Sequence, residues 1–255
     1  MKSNGLIWAG CGVLLFFVAA CATTTDEKSK KESKAYRSLG EAYMQQGKFA
    51  LAMREFNKAE AKNPNDHILQ QDLGLLYLRK KQYDQAIVHF KKALDLKPDY
   101  GEAINSMGNA YAGKEDWDQA IFYYKKVVGD ILYGTPHYAY SGLGNAYYYK
   151  GNLEQSEKYY LEALEFKPDF VHALGGLAQT YIDMGRIPEA VEKLKRAVRS
   201  VPDSPALHFQ LAQAYQLALE FKKSYNSYRK VVDLAPESPL AEEAEQEARK
   251  VRALY

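Results

Sequence analysis

Five prolines pace this chain: Pro64, Pro98, Pro168, Pro202 and Pro236. Three of the four intervals are 34 residues, and the fourth, 70, is two such intervals plus two residues. Six tyrosines keep the same beat, Tyr43, Tyr77, Tyr111, Tyr147, Tyr181 and Tyr215. A fixed period of this length constrains the fold more than any single motif does. Each unit is too short to bury its own apolar face and must stack on its neighbours. Numbering the units from about residues 33, 67, 101, 137, 171 and 205 gives one register throughout. Position 8 is Gly40, Gly74, Gly108, Gly144, Ala178 and Ala212; position 20 is Ala or Ser. Position 24 is Phe56, Phe90, Tyr124, Tyr160, Leu194 and Tyr228, and position 27 is always Ala or Val.

This pattern resembles the tetratricopeptide repeat (TPR), in which each unit is a helix–turn–helix. The resemblance covers residues 33–238 and implies an all-α fold, a right-handed TPR superhelix (α-solenoid) of six repeats over 35–238. The alternation has a physical reason. Two antiparallel helices pack closely only where one supplies small side chains opposite the other's large ones. Proline near position 32 ends the second helix of a repeat, and Pro188 is placed to start one. Residues 239–255 read as an amphipathic capping helix that covers the last repeat.

Composition removes several function classes. Lys+Arg total 34 against Asp+Glu 32, which gives no electrostatic drive toward nucleic acid. Two cysteines make neither a disulfide framework nor a four-thiolate zinc site. No HExxH, GxSxG or phosphate loop is present. Gly142-Leu143-Gly144 imitates the start of a dinucleotide fingerprint but falls on repeat positions 6 to 8. The five histidines lack metal-ligand spacing on any one helix. The expectation is a non-enzyme with no cofactor, metal or small-molecule substrate.

The N-terminus reads as an address. Lys2 precedes an apolar run of about fourteen residues from Gly5, too short for a membrane span of roughly 20. Val18-Ala19-Ala20-Cys21 resembles the bacterial lipobox. That implies a signal peptide over 1–20, an acylated Cys21, and, with no aspartate after the cysteine, an outer-membrane lipoprotein facing the periplasm. Residues 22–34 are polar, without apolar periodicity, and are expected to form a flexible tether.

On the first helix of each repeat, positions 2, 5, 9 and 12 fall on a stripe about 140° from the core positions. In TPR proteins this stripe lines a groove. Here it carries amides at Asn105, Asn109, Asn145, Gln179 and Gln213, which suit the backbone of an extended peptide. It also carries apolar and aromatic candidates: Leu75, Leu78, Tyr138, Tyr148, Tyr149 and Phe209. Asn105 and Asn109 have no basic partner at positions 2 or 5 of the next repeat, Tyr138 and Ser141, so a clamp for a C-terminal carboxylate is not expected.

Six such repeats behind a lipobox, with Leu132-Tyr133 and Thr135-Pro136 in a turn two residues longer than the others, resemble the type IV pilus pilotins (the PilF/PilW/Tgl family). The resemblance implies a lipoprotein scaffold that assists assembly or localisation of the outer-membrane secretin. A general periplasmic adaptor recruiting cell-wall or export machinery is the alternative.

Overall fold

The computed structural model describes the backbone of residues 9–130 and 133–254, with side chains from residue 26 onward in those ranges. Residues 1–8 and the remaining side chains of the expected signal peptide, the Cys21 side chain and Leu132 lie outside the described residues. Among the described residues there are thirteen α-helices and no strand. Repeat 1 is the C-terminal part of α1 (Ala9–Gln45) with α2 (Phe49–Lys62), and repeat 2 is α3 (His67–Arg79) with α4 (Tyr83–Leu96). Repeat 3 is α5 (Gly101–Gly113) with α6 (Trp117–Val128), and repeat 4 is α7 (Pro136–Tyr149) with α8 (Leu153–Phe166). Repeat 5 is α9 (Val171–Asp183) with α10 (Ile187–Ser200), and repeat 6 is α11 (Pro205–Leu217) with α12 (Phe221–Leu234). The capping helix is α13 (Pro239–Arg252). The chain forms two compact units, Met1–Ser106 and Met107–Tyr255, whose boundary falls inside α5.

Each repeat is a helical hairpin closed by the same turn. The N–H of position 16 donates to the carbonyl of the position-11 tyrosine in all six, at 2.8–3.0 Å. This is the Schellman closure, and it requires a left-handed residue at position 15. Glycine supplies it at Gly47, Gly151 and Gly185 (φ +70° to +77°). Lys81, Glu115 and Leu219 hold the same conformation at φ 58°, 61° and 59°.

The small-against-large pairing appears as expected. A Cβ on Gly40 would meet the Phe56 ring at 2.5 Å, and one on Gly108 would meet Tyr124 at 2.5 Å. In unit 2 the ring is also covered from the far side. A Cβ on Gly142 would meet Tyr124 at 2.5 Å, and one on Gly176 would come closer still to the Tyr160 ring. One ring therefore joins two consecutive repeats. Further stacks tie positions 11 and 23 within repeats: Tyr77 on His89 (5.2 Å), Tyr111 on Tyr123 (5.4 Å) and Tyr147 on Tyr159 (5.3 Å).

The capping helix begins with Ser238, whose hydroxyl accepts from Ala241 N at 3.1 Å, and Pro239 follows in the first turn. Its Ala244, Ala248 and Val251 bury against Phe209, Tyr228 and Val231. Every one of these groups is withdrawn from water, which drives the docking of α13.

The expected tether is not a loose segment over residues 26–34. α1 runs through them unbroken and docks on α2. Ser33 is fully buried and donates to the Ala59 carbonyl at 2.9 Å, and Ser29 donates to the Lys62 carbonyl at 2.8 Å. Lys62 pairs with Glu32 at 2.6 Å. The segment lacks apolar periodicity because its contacts to α2 are polar, so an apolar pattern could not reveal it.

Candidate functional site

In unit 1 the stripe residues Leu75 and Leu78 are half-buried on α3. Asn105 is half-buried on α5 with its Oδ1 shielded and unbonded. Unit 1 also holds a charged cluster that the groove pattern did not select. Arg37 reaches Glu41 (3.2 Å), Asp66 (3.1 Å) and Asp72 (3.9 Å). Asp66 also caps α3, accepting from the Ile68 and Leu69 amides. One guanidinium thus serves three carboxyls. Burial, with the charge of Glu41 added, pushes the Asp72 carboxyl up to about 8, against partial relief from Arg37.

In unit 2 the stripe residues of repeats 3 to 5 border an open groove of about 470 Å³ along α5, α7 and α9. Asn109 and Asn145 line it, and each is bonded to a position-24 tyrosine. Asn109 Oδ1 accepts from the Tyr124 hydroxyl at 2.7 Å, and Asn145 bonds the Tyr160 hydroxyl. Part of their capacity for a peptide backbone is therefore already used. Tyr138 is 48% exposed and sits 5.1 Å from the Phe170 ring, which is itself buried. Tyr149 is 60% exposed and stacks on Trp117 at 4.7 Å.

Tyr148 and Gln179 meet at a carboxylate. The Tyr148 hydroxyl donates to Asp183 at 2.7 Å, and Gln179 Nε2 donates to the other oxygen at 3.0 Å. The bond to Asp183 leads the effects that push the Tyr148 hydroxyl up to about 12. Gln213 is exposed on α11. It borders a second cup of about 550 Å³ that reaches the capping helix.

Phe209 does not belong to the surface. It is 7% exposed and packs edge-on against Tyr228 at 5.4 Å, under α13. Its position matches the stripe, but the capping helix covers that end of it. Glu243 and Glu247 of α13, which line the second cup, were not selected from the sequence. Their spacing, four residues apart on one helix, was the available signal.

Helical-hairpin repeats that leave aromatics and amides exposed on unit 2 make a TPR protein-interaction scaffold. The chain belongs to the tetratricopeptide repeat family. Models described as tetratricopeptide repeat match residues 33–66, 71–100, and 141–205 with 176–239. Comparison with curated proteins gave no match. Among solved structures the chain is similar to PilW, a widely conserved type IV pilus biogenesis factor, at 22% identity and TM-score 0.75, covering 82% of this chain and 96% of that one. It is similar to PilF of Pseudomonas aeruginosa at 15% identity and TM-score 0.72, covering 86% and 99%. It is also similar to YrrB, a TPR protein with an unusual peptide-binding site, at 20% identity and TM-score 0.53, covering 75% and 97%.

Proposed function

We propose that this chain is a lipid-anchored scaffold of the outer membrane, facing the periplasm, that assists assembly or localisation of a type IV pilus secretin. The supporting observation is the extent of the fold likeness. It spans 96% of PilW and 99% of PilF, so the likeness extends over almost the entire length of both proteins. The Val18–Cys21 motif supplies the anchor in this reading. Stable anchoring needs more than one acyl chain, which a lipoprotein cysteine provides. Tethering then raises the effective concentration of a bound secretin segment at the bilayer.

The segment is held on unit 2. Tyr138, Tyr148 and Tyr149 offer rigid aromatic surface, and Gln179 and Gln213 offer exposed amides. The test has two arms in the native cell. Intact mass of the mature protein is expected to show an acylated Cys21, and an unmodified cysteine overturns the anchor. Deletion of the gene is expected to abolish heat-resistant secretin multimers on gels; wild-type levels of multimer overturn the pilus role. Tyr138→Ala with Tyr148→Ala is expected to weaken secretin co-purification while helicity stays intact.

A further inference from the structure

We infer that the segment held by unit 2 presents a lysine or arginine side chain to the cup between α9, α11 and α13. This rests on the reading of unit 2 as the surface for an extended protein segment, and it names the chemistry of that segment.

Charge is divided unevenly along the face. The groove beside Asn109 and Asn145 is lined by neutral amides, aromatics, small residues and His172. The cup is lined by two carboxylates, Glu243 and Glu247, and by no Lys, Arg or His. A third carboxylate, Asp183, is fixed next to it by its bond to Gln179, a residue of the cup wall. Glu247 bonds Lys250 at 2.6 Å, a solvated lysine 67% exposed whose pairing is weak enough to be exchanged for another cation, whereas Glu243 has no such partner among the described residues. The two glutamates also help to hold the Tyr228 hydroxyl up, at about 12, after burial as the main cause. Their field therefore reaches the floor.

The other walls fit the stem of a long cationic side chain. Ile182 is half-buried, and Leu217 is 53% exposed although carboxylates stand across from it. A lysine or arginine lays its methylenes on such aliphatic surface and carries its charge to the acidic rim. Covering Leu217 removes apolar surface from water, and the cation meets the Glu243 carboxylate, for which no basic partner stands within ion-pair distance among the described residues, beside a Glu247 shared with Lys250. Gln213 and Gln216 flank the stem, and Gln216 is oriented by accepting from the Tyr228 hydroxyl at 3.1 Å. An anionic segment or a free C-terminal carboxylate meets only like charge in this cup.

The experiment selects displayed random dodecapeptides on the full chain, then measures synthetic versions of the winners by fluorescence anisotropy. Winners are expected to carry Lys or Arg at one fixed position beside apolar residues. Their affinity is expected to fall at least about tenfold in Glu243→Gln/Glu247→Gln, and to fall with added salt. Replacing the peptide's basic residue by Gln is expected to cost no further affinity in that variant, and the variant's melting temperature reports its fold. Winners without a basic residue, or indifferent to the glutamate changes yet weakened by Tyr138→Ala/Tyr148→Ala, overturn this inference and leave the binding surface standing. An empty selection, or winners indifferent to both pairs of changes, overturns the binding surface and the inference together.

Discussion

The Tyr124 ring lies 2.5 Å from the point where Gly142 would carry a Cβ, and it lies equally near the same point on Gly108. The ring belongs to repeat 3, Gly108 to the same repeat and Gly142 to the next. Burial of the ring is thus completed by the following repeat. Gly142→Ala must push a nearly enclosed ring aside and is expected to destabilise unit 2 by about 1–3 kcal/mol. Urea denaturation followed by circular dichroism measures it. A loss no larger than that of an exposed glycine such as Gly129 contradicts the shared-ring packing.

Phe209 separates core from surface. Truncation to Ala leaves a cavity under the capping helix and is expected to cost about 3–5 kcal/mol. Were Phe209 a surface anchor, Phe209→Ala would leave the melting temperature in place and reduce binding alone.

Leu219 occupies a left-handed conformation at φ 59° while 73% exposed. Its side chain contributes little burial and its backbone is strained. Leu219→Gly is expected to stabilise by about 1 kcal/mol. Gly185→Ala, at the same position of repeat 5, is expected to destabilise by a similar amount. Thermal melts of the two variants should move in opposite directions.

Asp72 gives unit 1 a pH dependence. Its carboxyl is held up at about 8 from an ordinary 3.8, so the folded chain keeps a proton between those values that the unfolded chain releases. The sign follows directly: this contribution is fully present below about pH 4, is lost as pH rises toward 8, and is flat above. Arg37, Glu41 and Asp66 are the charged neighbours. Asp72→Asn is expected to flatten the decline across pH 5–8 and to leave the variant more stable than the wild type at pH 9. Denaturation midpoints at pH 5, 7 and 9 decide it.

The repeat register was legible because it is written in side-chain size. Gly40 against Phe56 and Gly108 against Tyr124 follow from period and volume alone. The shared role of Gly142 and Gly176 was not legible, since position 6 carries Asp72, Ser106 and Gln210 in other repeats. The left-handed turns were half legible. Gly47, Gly151 and Gly185 advertise them, whereas Lys81, Glu115 and Leu219 are forced into the conformation by the hydrogen bonds that close the hairpin. The stripe located Tyr138, Tyr148 and Gln179 on the face of unit 2. It misplaced Phe209 because helical periodicity says nothing about what covers the end of an array. The docking of residues 26–34 was hidden because Ser29, Glu32 and Ser33 make polar contacts, which leave no hydrophobic signature.

Repeat arrays usually grow and shrink by duplicating or losing a unit. The shared rings limit that freedom here. Whatever follows repeat 4 must bring a position-6 glycine to receive Tyr160, as repeat 5 does with Gly176. Repeat 6 carries Gln210 there and cannot be moved up the chain to serve in its place. The middle repeats of unit 2 are therefore bound to their order, like stones cut for one arch rather than bricks of one mould.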